Sequence, residues 1–251
     1  MRYFIYLSYD GSAYCGWQRQ PDAPTVQQTL EEALGTLLRR PVAVTGAGRT
    51  DTGVHASRYV AHFDCGEEIG PVARTCYRLN SILPSDIAVH DLRRVADDAH
   101  ARFDALSREY TYYIRRSKHP FDRNFSWQYG VELDMERMNE AAARLSDYRD
   151  FTTFAKLNSA NKTNICRISS ARWTREGERL VFRIRADRFL RNMVRAIVAA
   201  LVDVGRGKIN PERFAELIEL RDLSLARGSA PARGLFLSDV EYGAEIEYDN
   251  H

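Results

Sequence analysis

Cysteine is scarce, and Cys15, Cys65, Cys76 and Cys166 never fall within three residues of one another. That spacing excludes a zinc ribbon or a Cys-x-x-Cys redox pair, and it predicts reduced, buried thiols. No run approaches the roughly 18 apolar residues of a membrane helix. The histidines are scattered singly, without the His-x-x-x-His spacing of a metal site, and no Gly-x-Ser-x-Gly elbow presents a serine nucleophile. The first residues, Met1 to Asp10, alternate like a strand and lack a cleavage-site pattern. The expectations are no signal peptide, a cytoplasmic protein, and no metal or nucleotide cofactor.

Lysine is the other absence. Only Lys118, Lys156, Lys162 and Lys208 occur among 36 basic residues. The arginines cluster: nine lie between Arg167 and Arg195 against Glu176, Glu178 and Asp187. The tail after Ser238 carries acids and no Lys or Arg. Arginine suits phosphate forks and base stacking, but a solvated face explains the same composition. The net charge of +2 decides nothing. With 44% hydrophobic and 28% charged residues, the 251-residue chain reads as a globular protein of one large or two small domains.

Periodicity predicts a strand over 3–9 and a helix from a Thr25–Gln28 capping box to about Arg39. Strands follow at 42–46 and 57–64, a helix at 71–82 ending before Pro84, and a strand at 86–95. The pattern then restarts. A strand is predicted over 107–115, a helix over 134–146, and a hairpin over 166–175 and 180–187 around Gly177. Helices over 190–204 and from Asn210-Pro211, and a strand over 234–242, complete it. The reading is α+β: two subdomains, 1–104 and 105–251, with largely antiparallel sheets joined into one and helices on one side.

Three segments are candidates for chemistry. Thr45 to Ala56 holds three glycines, with Arg49 and Asp51 two apart. Asp51 stands where a dinucleotide fingerprint needs its third glycine, and no Lys-Ser/Thr makes a phosphate loop. What remains is a glycine-bent loop with a carboxylate near a guanidinium, either a salt bridge under a turn or a place where backbone approaches a ligand closely. On the strand Ala105 to Arg116, Arg108, Tyr110 and Tyr112 alternate onto one face. That face suits a core or a base-stacking platform. Finally, Arg188, Arg191 and Arg195 share one face if 188–198 is helical.

With these segments the chain resembles the tRNA pseudouridine synthase A family, nearly end to end. Tyr9 to Gln20 with Val26-Gln27, Gly46 to Ala56, His100 to Phe103 and Arg108 to Tyr112 carry the resemblance. Asp150 to Phe154, Phe189 to Arg195 and Gly234 to Leu237 continue it. Thr52 and Arg149 depart from the usual Ala and His. The resemblance implies isomerisation of uridine to pseudouridine in the anticodon stem-loop of tRNA, without a cofactor. It implies a pseudo-symmetric fold with the active-site cleft between the halves, and a homodimer with one tRNA touching both subunits. By the same resemblance, Asp51 is the catalytic nucleophile, and Tyr110 stacks on the target base. Arg195 pairs with Asp51, and Arg49 assists base extrusion. Gln18, Arg188 and Arg191 are further RNA contacts. Two other readings use the same residues: a glycosylase or base exchanger, and a non-catalytic RNA-binding protein. The latter leaves the Asp51 loop unexplained, because a carboxylate weakens phosphate binding.

Overall fold

A computed structural model describes residues 1–156, 163–225 and 228–246. Lys162 and the tail acids Glu247 and Asp249 lie outside the described residues. Five α-helices and nine strands among the described residues make an α+β fold. The chain clusters into two units. One holds Met1–Leu106 with the described residues from Leu237 onward, and the other holds Ser107–Phe236.

The first unit contains β1 (Arg2–Tyr9), α1 (Val26–Leu38), β2 (Val44–Gly46), β3 (His55–Asp64), α2 (Val72–Ile82) and β4 (Ile87–Val95). β1 lies between β4 and β3, antiparallel to both, and β2 pairs with β3. As a central strand β1 buries both faces, so Phe4 and Ile5 are fully enclosed. The Thr25 side chain caps α1, accepting from the Gln28 N–H at 3.4 Å. The reciprocal half of the expected capping box is not made, because the Gln28 side chain donates to Glu32 instead. Arg39, at φ 55°, ends the helix. Asn80 of α2 ties the helix to β4, accepting from the Val89 N–H at 2.7 Å and donating to its carbonyl at 2.8 Å.

The last strand clusters with this unit from Leu237 onward, where the sequence reading counts all of it with the second half. Tyr242 donates its hydroxyl proton to the Ala101 carbonyl at 2.6 Å and packs on Phe4 with ring centres 5.0 Å apart. Asp239 pairs with Arg58 at 3.4 Å.

His62 on β3 is buried, and its Nδ1 accepts from the Ala101 N–H at 3.0 Å. Burial, then the charges of Arg2 and His100, push its pKa down to about 4. Burial lowers that of His100 as well. The unfolded chain therefore binds more protons than the folded one between about pH 4 and the ordinary histidine value near 6.5. Stability should be full above pH 6.5 and fall as the pH drops toward 4. Thermal melts from pH 7 to 4 are expected to show this slope, and His62→Gln should flatten it.

The second unit contains β5 (Ala105–Arg115), whose first two residues cluster with the first unit, β6 (Trp127–Gln128) and α3 (Met135–Ala143). β7 (Ile168–Glu176), β8 (Arg179–Ala186), α4 (Met193–Gly205) and α5 (Pro211–Glu219) follow, and β9 (Leu235–Tyr242) crosses the unit boundary. β8 lies between β5 and β7, antiparallel to both, while β6 runs parallel to β5. Trp173 and Phe182 stack 4.9 Å apart in the core. Asn139 of α3 bonds both the N–H and the carbonyl of Trp173, at 2.8 and 3.0 Å, repeating on β7 the device that Asn80 uses on β4. In each unit a helix amide thus satisfies backbone groups that a sheet edge leaves open.

α4 begins at Met193, not at 190. Asn192 adopts φ 66° and breaks the path into the helix. Arg188 and Arg191 therefore precede the helix, and only Arg195 lies on it. The expected single arginine face does not form. All four cysteines are free, but Cys15 is half-buried rather than buried.

Candidate active site

Residues 47–54 connect β2 to β3 and carry Asp51. Their backbone is held on every side. The Ala47 N–H donates to the Val60 carbonyl at 2.9 Å, and the Tyr59 hydroxyl donates to the Gly48 carbonyl. The Thr50 carbonyl accepts from the Trp17 N–H at 3.3 Å, and its hydroxyl meets that of Tyr9 at 2.8 Å. The Gly53 N–H donates to the Tyr14 carbonyl at 3.3 Å. The Val54 N–H donates to the Asp51 carbonyl at 3.1 Å, closing a turn that Gly53 enters at φ 75°.

Much of this brace comes from residues 9–17. Trp17 and Tyr59 stack 4.1 Å apart under the loop, and both are almost fully buried. Gly11 and Gly16 let the two backbones touch. A Cβ on Gly11 would lie 2.0 Å from the Val54 carbonyl oxygen, and one on Gly16 would lie 2.4 Å from that of Thr50. The Gly11 N–H also donates to Nδ1 of the buried His55 at 3.0 Å. Tyr9, Gly11, Tyr14, Gly16 and Trp17 lie within the Tyr9–Gln20 motif, but no spacing rule gave them this role.

The loop glycines do different work. Gly46 sits beneath Trp17 and Tyr59, with no room for a Cβ. Gly48 has open space where a Cβ would stand, so it leaves the loop's outer surface clear. Asp51 is half-buried and Arg49 is exposed. The result is a carboxylate on a stiff, partly open turn, which is what preorganised chemistry requires.

Gln18 is tied to α1. Its Nε2 donates to Gln27 Oε1 at 2.8 Å, and the Gln27 amide donates in turn to Glu31 and to the Val44 carbonyl. This network links the 9–17 segment, the helix and β2, a supporting role the sequence reading did not give Gln18.

In the second unit, Tyr110 is half-buried on β5, with the edge of Phe189 against it at 5.1 Å and 90°. Arg108, two residues earlier, donates to the Asp187 carbonyl at 2.8 Å. The Asp187 carboxylate accepts from the backbone N–H groups of Arg167 and Arg188 at 2.8 and 2.7 Å. Arg108 thus anchors the irregular segment after β8 that brings Phe189 to Tyr110, while Tyr112 on the same face is fully buried. That face is part platform and part core.

Arg195 sits in the first turn of α4. Its Nε donates to the Ala230 carbonyl at 2.7 Å, and its own carbonyl accepts from the Ala230 N–H at 3.0 Å. Asn192 donates to the Ser229 hydroxyl at 2.7 Å, and the Tyr112 hydroxyl donates to the Pro231 carbonyl at 2.8 Å. Residues 229–231 therefore aim Arg195, a function no local pattern signalled. Arg188 is half-buried, its guanidinium 3.4 Å from the Thr163 carbonyl, and Arg191 is exposed.

Among the described residues, no three or more His, Cys, Asp or Glu side chains are grouped to hold a metal ion. No helix among them is long and apolar enough to cross a membrane.

A family model described as tRNA pseudouridine synthase matches residues 5–104 and 141–243. A protein of Bacteroides thetaiotaomicron named tRNA pseudouridine synthase A is 55% identical, over 98% of this chain and 92% of its own length. Proteins of the same name are similar in Parabacteroides distasonis (52% identical, 98% of this chain, 97% of that one) and Chlorobaculum tepidum (41%, 94% and 96%). The braced Asp51 loop lies within the part the family model matches, the relatives align over nearly the whole chain, and the chain belongs to the tRNA pseudouridine synthase family.

Proposed function

We propose that the chain isomerises uridine to pseudouridine in the anticodon arm of tRNA, with Asp51 as the catalytic carboxylate. The observation that carries this reading is the Asp51 turn, braced by backbone bonds from two segments and left half-open. The reaction breaks the bond between uracil N1 and the ribose, turns the base, and joins C5 to the same ribose carbon. N1 gains a proton and C5 loses one, so no oxidant or reductant is consumed. The centre left by the departing base is electrophilic. A carboxylate meets it by charge or by covalent addition.

The target base must first leave its stack, at a cost of a few kcal/mol. Tyr110 offsets that cost by stacking on the base, and the exposed Arg49 takes the vacated space. The family resemblance assigns Arg195, whose Nε is held by the Ala230 carbonyl, the role of partner to the catalytic carboxylate. Arg188, Arg191 and Gln18 contact the RNA. The family resemblance also implies a homodimer, which sedimentation of the purified protein tests. Incubation with unmodified tRNA, followed by pseudouridine mapping at nucleotide resolution, tests the activity. Isomerisation leaves the RNA mass unchanged, whereas a released uracil or an unaltered RNA would overturn the reading.

Tyr110→Phe should keep most tRNA affinity, because the ring remains. Tyr110→Leu should lose more, since base–aromatic stacking is worth about 1–3 kcal/mol. If both variants bind like the wild type, the stacking role is wrong. The arginines should separate in a second experiment. Arg188→Ala and Arg191→Ala should weaken binding and lower its salt slope by roughly one unit or less each. Arg195→Ala should instead slow bound turnover. Affinity over a salt series, with single-turnover rates at saturating enzyme, distinguishes the two. Like behaviour of all three variants would mean one electrostatic patch.

A further inference from the structure

Phe121 is 86% exposed, the most exposed large hydrophobic side chain among the described residues. It does not sit on a loose loop. Pro120 opens the short 3-10 helix Pro120–Asp122. The Asp122 N–H donates to the His119 carbonyl at 3.2 Å, and the Asp122 carbonyl accepts from Phe125 N–H and Ser126 Oγ at 2.9 and 3.0 Å. Arg123 reaches back to the Pro120 carbonyl at 3.1 Å.

Beneath the turn, the buried Asp122 carboxylate lies 2.8 Å from Arg115 of β5 and 2.5 Å from Arg179 of β8. The Arg179 guanidinium holds that carboxyl below its usual range. A buried carboxylate between two guanidiniums adds little net stability, but it determines where the turn sits. The fold thus spends rigid structure on holding one phenyl ring in water.

The surroundings say what the ring meets. Lys118 and Arg123, within three residues of it, are exposed, whereas Arg116 pairs with Glu132 at 3.5 Å and the exposed Glu178 meets Arg115 and Ser117; the His119 ring lies edge-on to the phenyl at 6.0 Å. Phe and Arg are also enriched at protein–protein interfaces, so self-association is the competing outcome that the sedimentation arm of the test separates. Nucleic acid suits the ring well, because every base offers a face to an aromatic ring and every linkage a phosphate to a cation. The turn leaves β5 at Arg115, five residues beyond Tyr110 and so about 16 Å along the strand. This segment lies in the stretch 105–140 that the family model leaves unmatched.

We propose that residues 116–123 form a second tRNA contact, with Phe121 stacking on an unpaired base and Lys118 and Arg123 meeting phosphates. The inference rests on the tRNA reading above, and its test separates the two. The dissociation constant for unmodified tRNA is measured for the wild type, Phe121→Ala and Phe121→Tyr, with sedimentation and pseudouridine mapping on the same samples. Phe121→Ala should raise the constant about 5- to 150-fold, while Phe121→Tyr should stay within about twofold. Arg123→Ala should lower the salt slope by about one unit. Because the ring is exposed, its removal leaves no cavity, and the melting temperature should not move.

An unchanged constant for Phe121→Ala overturns the contact. So does a loss that accompanies an altered sedimentation coefficient, which would make the turn a self-association surface. A wild type that binds tRNA but forms no pseudouridine overturns the activity instead, and leaves the affinity comparison to decide the contact.

Discussion

Asp51→Asn protein is expected to bind tRNA within a few-fold of the wild type and to form no measurable pseudouridine. The bound turnover rate should fall on the order of a thousand-fold or more, as when a nucleophile is removed from a preorganised site. The amide preserves shape, and the turn is held by the backbone: the Asp51 carbonyl still accepts from the Val54 N–H, and its neighbours still bond Trp17 and Tyr14. What the substitution removes is the carboxylate's charge and nucleophilicity. Single-turnover mapping with enzyme in excess checks the rate, and filter binding checks the affinity. Appreciable pseudouridine from the purified variant would remove Asp51 from the chemistry.

The second large effect is expected from Gly16→Ala. Gly16 adopts φ 88°, where an alanine is strained by roughly 1–2 kcal/mol. Its new methyl would also stand 2.4 Å from the Thr50 carbonyl oxygen, a backbone atom that cannot swing aside. Overpacking of that kind costs about 1–3 kcal/mol. Together the two predict a loss of roughly 2–5 kcal/mol and a melting temperature lower by about 5–20 °C, at about 2–4 °C per kcal/mol for a chain of this size. The atom displaced belongs to the residue before Asp51, so turnover should drop even where the variant remains folded. Calorimetry together with single-turnover rates below the melting temperature tests both parts. A variant that melts and turns over like the wild type would show that the 9–17 segment does not brace the loop.

What was legible in the sequence was local. Alternation found β1, β5 and the β7–β8 hairpin, and helical spacing found α1 and α2, because a side chain's face follows from its neighbours' dihedrals. The Gly46–Ala56 motif marked the Asp51 loop, because so many glycines beside a carboxylate are unusual at any level of structure. The failures were equally particular. Arg188, Arg191 and Arg195 count as one helical stripe only if Asn192 is helical, and its left-handed dihedral, set in contact with Ser229, undoes the spacing. The capping box needed Gln28 to turn back, yet Glu32 one turn away takes its amide. Gln18 became a strut through Gln27, and Ala230 became the residue that aims Arg195, because a hydrogen bond's partner is chosen by segments folded in from elsewhere in the chain. The sequence by itself thus determined the elements, the family and the candidate chemistry. Only the tertiary structure decided that Tyr9, Tyr14, Trp17 and Tyr59 hold the Asp51 turn rigid. Backbone groups carry no residue identity, so their pairing cannot be read until the chain has folded.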